Sequence, residues 1–193
     1  MRILKFLYEK LTGKPAPYYF RHSMLHLILK PFRKYFTNVV AANCPFNCIR
    51  ILIYRMCGFK IGKKTFIGMK CYLDDMCYDS LFIGNNVTIS YGVYFACHGR
   101  RQGRLPIRVE DGAYIGMRAN TVSKNKDIEK HKNKCGVTIG AGAVVGTGTL
   151  VNQDIPPGAT AVGVPCKIIG VVQNDDKNIQ ISPQNDTCAD KNM

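Results

Sequence analysis

Between Ile61 and Thr149 an aliphatic residue recurs every six positions. It is followed by Gly or another small or polar residue and, three positions after that, usually by a small side chain. Ile61-Gly62 runs to Thr65, Ile67-Gly68 to Cys71 and Leu73-Asp74 to Cys77. Ile83-Gly84 runs to Val87, Ile89-Ser90 to Val93, Val109-Glu110 to Ala113 and Ile115-Gly116 to Ala119. Ile139-Gly140 then runs to Ala143 and Val145-Gly146 to Thr149. A period of six is not helical. In an extended segment the first and fifth positions of each hexapeptide point to the same side. A large aliphatic at one and a small residue at the other suit the inside of a narrow triangular tube, with Gly, Asn and Asp at its corners. The pattern therefore predicts an all-β solenoid, a parallel β-helix whose stacked coils bury an aliphatic column that no repeat could bury alone. An all-β sandwich is the competing architecture, but its turns recur about every 8–12 residues and not repeatedly at six.

The breaks in the period carry information of their own. Leu73 to Ile83 is ten residues and Phe95 to Val109 fourteen, so extra residues enter there. Ile115 to Ile139 is twenty-four and stays in register, yet residues 123–134 are too charged to line a tube. They are expected as a loop inserted into solvent, a common location for binding residues. Residues 1–58 lack the period. Met24 to Leu29 predicts a helix broken near Pro31, and Cys48 to Met56 predicts a second, with Ile49, Leu52 and Ile53 on one face. Residues 173–193 are polar throughout and predict a flexible tail. The division is thus an N-terminal basic helical segment (1–58), a β-helix (59–172) and the tail (173–193).

Charge changes the reading of the N-terminal segment. The net charge is +14, and residues 1–60 hold eleven Lys/Arg against the single acid Glu9. Such asymmetry suits nucleic acid or an anionic membrane surface. No nucleic-acid-binding motif accompanies it, so no nucleic-acid partner is expected. Basic and aromatic residues mix from Tyr18 to Phe36, which fits peripheral contact with an anionic membrane or, alternatively, a helix packed across the open end of the tube. No uncharged apolar run reaches membrane-spanning length, although 46% of residues are hydrophobic. Met1 to Leu11 carries Arg2, Lys5, Glu9 and Lys10 and lacks the apolar core of a secretory signal. The nine cysteines are odd in number and scattered, which predicts reduced thiols. The expected location is the cytoplasm, including the cytoplasmic face of an inner membrane. Cys44 and Cys48 are not followed by a second Cys/His pair at zinc spacing, so no metal is expected.

Of four histidines, His22 and His26 fall in the N-terminal segment and His131 in the charged insertion. Only His98 directly follows a coil, in Phe95-Ala-Cys-His98-Gly-Arg-Arg-Gln-Gly103. Rigid support on one side and a loop on the other suit a general base. A β-helical metalloenzyme would need three gathered histidines, which the coils do not offer.

With these features the chain resembles the hexapeptide-repeat acyltransferases, among them the maltose and galactoside acetyltransferases and bacterial surface-polysaccharide O-acetyltransferases. The resemblance covers about residues 48–170. It rests on Arg50 to Gly62, on Ile83-Gly-Asn-Asn-Val-Thr-Ile89 leading to His98, and on Ala113-Tyr-Ile-Gly-Met-Arg-Ala119. Gly136 to Gly146, Asp154-Ile-Pro-Pro-Gly158 and the closing segment Gly163-Val-Pro-Cys-Lys167 complete it. It implies a left-handed β-helix, a homotrimer with sites between subunits, and acetyl-CoA as acyl donor. His98 would be the base that takes a proton from a sugar hydroxyl in surface-polysaccharide biosynthesis. Tyr114, Met117, Thr147, Asn152, Gln153 and Lys167 would hold the coenzyme, and Asp74 and Asp75 would bind the acceptor. The asparagine that some galactoside enzymes carry before that pair has no match here, and Asp at a coil corner has ordinary turn chemistry as its alternative role. Serine-acetyltransferase-like activity and a non-catalytic trimeric scaffold are the competing functions.

Overall fold

The computed structural model describes residues 2–13, 24–98, 105–123 and 136–171. His22, His131, the Gly/Arg segment after His98, nearly all of the charged insertion and the polar tail lie outside these.

Twelve short strands, β1 (Lys60–Ile61), β2 (Phe66–Ile67), β3 (Leu81–Ile83), β4 (Thr88–Ile89), β5 (Tyr94–Ala96), β6 (Ile107–Val109), β7 (Tyr114–Ile115), β8 (Asn120–Val122), β9 (Val137–Ile139), β10 (Val144–Val145), β11 (Leu150–Val151) and β12 (Ala159–Val162), form three parallel sheets. The first sheet is β1-β3-β6-β9, the second runs β2-β4-β7-β10-β12 and the third β5-β8-β11. The chain visits them in rotation, and a bridge between Tyr72 and Tyr94 extends the third to the first coil. Strand β13 (Lys167–Val171) folds back antiparallel on β12 and ends the stack.

The hexapeptide explains this winding. Ile67, Ile89, Ile115 and Val145 stack in register along the second sheet and are fully buried. The small positions Cys71, Cys77, Val87, Val93, Ala113, Ala119, Ala143 and Thr149 are buried as well. Each large aliphatic contributes about 1.5–3 kcal/mol on burial. The corners need small residues for a second reason. A side chain at Gly116 would place its Cβ 2.7 Å from the Thr147 nitrogen of the next coil.

Register locates the irregularities. Ile61 stacks on Ile83, Ile83 on Val109 and Val109 on Ile139, spacings of 22, 26 and 30 residues. Six residues separate first-sheet from second-sheet positions in every coil, as in Ile83 to Ile89 and Ile139 to Val145. The surplus therefore enters at one corner, where the third sheet hands over to the first.

Residues 42–56 of the N-terminal segment cap the first coil. Helix α1 (Arg2–Thr12), which the apolar pattern does not announce, ends at Gly13 with φ of 62° and its N–H on the Glu9 carbonyl. Helix α2 (Met24–Tyr35) runs through Pro31, contrary to the expected break, and continues as a π-helical stretch, Phe36–Ala41. Proline costs one N–H donor and about 3 kcal/mol, but its φ is helical. Helix α3 (Asn47–Met56) buries Arg50, Ile51 and Tyr54. Its Asn47 side chain accepts the Ile67 N–H and donates to the Thr65 carbonyl, while the Lys70 N–H reaches the Ala42 carbonyl. These bonds occupy backbone groups that a first coil would otherwise leave open. No helix among the described residues is long and apolar enough to cross a membrane.

Candidate functional site

The irregular corner assembles one distinctive constellation. Leu73, in the first coil, is buried in the column, and the chain leaves the tube at Asp74. One coil later, β5 ends and is followed by Cys97 and His98. The Asp74 side chain is completely buried, whereas that of His98 is 33% exposed. Asp74 Oδ2 lies 2.6 Å from His98 Nδ1 and accepts the Cys97 N–H at 2.8 Å, while Oδ1 accepts the Met76 N–H at 3.1 Å.

This arrangement specifies the imidazole. A carboxylate only accepts, so the shared proton sits on His98 Nδ1, and in the neutral ring Nε2 keeps its lone pair. Two backbone donors fix the carboxylate, and the carboxylate fixes the ring. His98 thus has a partner that orients it, and its Nε2, which bonds to none of the described residues, can take a proton. The neighbouring Cys97 is no competing nucleophile. Burial, reinforced by Asp74, pushes its thiol pKa far up.

Asp75 is also buried, but it belongs to a different network. Its Oδ1 accepts the Tyr72 hydroxyl at 3.0 Å and the Asn38 amide at 3.2 Å. Its carbonyl accepts from the Arg33 guanidinium at 3.2 Å, and that guanidinium lies 3.9 Å from the Tyr78 ring centroid. Burial, then Asp75, raises the Tyr72 pKa, so its phenol remains a donor. Within the protomer neither aspartate is presented to solvent as an acceptor-binding carboxylate. Asp74 orients His98, and Asp75 ties the corner to the helical segment. Both links are missed from the sequence, because the partners lie 24 positions apart for His98–Asp74 and 37 for Asn38–Asp75. The available signal was that Asp74 and His98 both occur where the six-residue period fails.

The remaining candidates fall into three places. Met117 and Thr147 are exposed on the corner between the second and third sheets, one coil apart, with the Gly148 N–H on the Met117 carbonyl at 2.8 Å. Tyr114 projects outward from the second sheet, its hydroxyl 3.3 Å from Ser90 Oγ. Asn152 and Gln153 meet the closing segment, where Gln153 Nε2 donates to the Cys166 carbonyl at 3.2 Å, and Lys167 follows at the start of β13. Among the described residues no three His, Cys, Asp or Glu side chains are grouped to hold a metal.

Residues 128–153 match the model of the hexapeptide repeat of succinyl-transferase. Over 122 residues the chain is 34% identical to a serine acetyltransferase of Bacillus licheniformis, a match covering 62% of this chain and 48% of that protein. The chain therefore spans about half the length of that relative. Among solved structures, a hexapeptide-repeat-containing acetyltransferase of Vibrio cholerae in complex with acetyl-CoA superposes with a TM-score of 0.60 at 20% identity, covering 86% of this chain and 98% of that one. A maltose O-acetyltransferase of Clostridium difficile superposes with a TM-score of 0.54 at 23% identity, covering 86% and 96%. At these identities the structural likeness bears on the fold. By its repeat and by its fold, the chain is a hexapeptide-repeat protein that resembles these acetyltransferases.

Proposed function

We propose that the protein is an O-acetyltransferase that moves an acetyl group from acetyl-CoA to a hydroxyl of a sugar, in surface-polysaccharide biosynthesis. The observation that carries this reading is the His98–Asp74 pair, a buried carboxylate orienting a half-exposed imidazole at the edge of a rigid coil. His98 Nε2 takes the proton of the acceptor hydroxyl as its oxygen attacks the thioester carbon. The tetrahedral oxyanion is met by backbone N–H groups, and its collapse releases the coenzyme thiolate, which the imidazolium reprotonates. Holding both substrates in one groove supplies much of the rate.

On this reading the coil is left-handed and three copies associate, with coenzyme A lying between neighbours. Met117, Thr147 and Tyr114 would line its pantetheine arm, and Asn152, Gln153 and Lys167 would lie toward its nucleotide end, with Lys167 a point charge for phosphate. The spread of these residues over several faces of one protomer supports a site completed by a second copy. Residues 59–172 would form this acyltransferase unit, with residues 1–58 and 173–193 as appendages.

A serine acceptor is the second reading, favoured by the Bacillus licheniformis relative. One assay separates the two. Purified protein is incubated with acetyl-CoA and either sugars or serine, and free coenzyme thiol is followed. Sugar-dependent release is expected, and His98→Ala should lower turnover by about 100-fold or more. Release with serine alone would move the acceptor assignment. Absence of acceptor-dependent release from a folded protein would leave a scaffold, and full activity in His98→Ala would remove His98 from the role of base.

A further inference from the structure

The peptide group between Asp75 and Met76 is held at both of its polar atoms. Its carbonyl oxygen accepts from the Arg33 guanidinium at 3.2 Å, and its N–H, that of Met76, donates to Asp74 Oδ1 at 3.1 Å. The other oxygen of the same carboxylate meets His98 Nδ1 at 2.6 Å. A peptide group is planar, so its C=O and N–H turn together. Fixing the oxygen therefore aims the N–H. Arg33 belongs to helix α2, 42 positions from Asp75, yet a single rigid plane separates it from the carboxylate that orients His98.

The grip on this plane has several supports. The Arg33 guanidinium carbon lies 3.9 Å from the Tyr78 ring centroid, which holds the flat cation against an aromatic face. The Thr37 hydroxyl donates to the Arg33 carbonyl at 3.0 Å. Asn38, farther along the same helical run, donates to Asp75 Oδ1 at 3.2 Å, and the Tyr72 hydroxyl donates to that oxygen at 3.0 Å. Asp75 is thus fixed by its side chain as well as by its carbonyl. Charge adds to geometry. A cation on the carbonyl polarises the peptide and strengthens its N–H as a donor to Asp74.

We infer that Arg33 is a positioning residue for His98: from helix α2 it holds the Asp75–Met76 peptide, whose N–H holds the carboxylate that orients the imidazole. This orientation is a property of the folded protein and stands without any reaction. Its service to turnover rests on the acyl-transfer reading. Helix α2 thereby belongs to the His98 corner, whereas residues 42–56 cap the coil.

Arg33→Met in the full chain tests this, because it keeps an apolar stem against Tyr78 and removes both donor and charge. Lys34→Ala, an exposed neighbour on the same helix, is the control. The first readout is NMR of protein labelled with 15N-histidine, at a pH where the rings are neutral. The ring signals of His98 are assigned by their loss in His98→Gln, and their nitrogen shifts report which nitrogen carries the proton. Wild type and Lys34→Ala should show the Nδ1–H form. In Arg33→Met the population should move toward Nε2–H on the order of tenfold, as loss of one charge-assisted bond in the chain implies. The second readout is turnover with acetyl-CoA and a sugar acceptor. There kcat should fall by about 10- to 100-fold, with KM for acetyl-CoA little changed, the loss expected of a misplaced base. A cooperative thermal transition establishes that each variant is folded. If Arg33→Met is not, Arg33→Gln, neutral but able to reach the carbonyl, should show the same change to a smaller extent. An unchanged Nδ1–H population in the folded variant would overturn the inference, and so would an equal change in Lys34→Ala. A changed population with wild-type kcat would overturn the link to turnover. Because the proton is read without substrate, a population that responds to Arg33 in a protein inactive even as wild type keeps the positioning and rejects only the acyl-transfer reading.

Discussion

At the corner between the first and second sheets, Asp111 accepts the Asn85 N–H at 2.7 Å on Oδ1 and the Asn85 side-chain amide at 3.1 Å on Oδ2, joining two successive coils. At the corner after the third sheet, Asp74 also accepts a backbone N–H from the adjacent coil, that of Cys97. The residue type and the bond are the same. The first aspartate is on the surface of a corner that keeps its six-residue spacing, and every acceptor site it uses serves the stack. The second is buried at the corner where 22-, 26- and 30-residue coils take up their extra length, and its Oδ2 has a second donor, His98. Regular coils provide rigidity, and on the acyl-transfer reading the corner that departs from the pattern supplies the chemistry.

The largest test of this contrast is Asp74→Asn. The amide is nearly isosteric, but it can offer a donor to His98 Nδ1, which shifts the ring proton toward Nε2 and removes the free base. On the acyl-transfer reading kcat should fall on the order of a hundredfold or more, with KM for acetyl-CoA little changed. A matching loss of melting temperature and equal losses in kcat and thioester binding would make Asp74 a structural residue like Asp111. Ile115→Ala sharpens the opposite side. Ile115 is fully buried and pairs with Ile89 and Val145. Its truncation should cost about 2–5 kcal/mol in denaturant unfolding while the protein that remains folded keeps its kcat. A kcat loss as large as that of Asp74→Asn would mean that the column and the corner are not separable.

The sequence was most readable where the period holds. Ile67, Ile89, Ile115 and Val145 announce a column because one residue type recurs at one spacing, and the structure stacks them in register. His98 stood out as the histidine at a coil edge. The links among His98, Asp74, Asp75, Asn38 and Arg33 were not legible, because they depend on which coil stacks on which across irregular lengths. Asp74 and Asp75 illustrate the cost. As adjacent acids they look alike, yet one turns toward His98 and the other toward Tyr72 and Asn38. Helix α2 shows the converse limit, since it runs through Pro31 where the sequence rule predicts a break.

Asp111 yields the smallest effect and the cleanest contrast. The Asn85 N–H holds its carboxyl below the usual range, with the Asn85 amide adding to this and slight desolvation opposing it. A carboxylate with a depressed folded pKa adds stability that is fully present above its unfolded value, about 3.9. That contribution disappears as the pH falls through the folded value. Asp111→Ala should therefore lower the melting temperature slightly near neutral pH, and the difference from wild type should shrink as the pH falls below 4, approximately the unfolded value. Solvent screens so exposed a group, so the effect is small. Turnover at neutral pH should be unchanged. Thermal melts over a pH series, paired with one rate measurement, check both statements. If Asp111→Ala instead lowered turnover without altering the melts, this corner would share in the chemistry, and confinement of function to the irregular corner would be wrong.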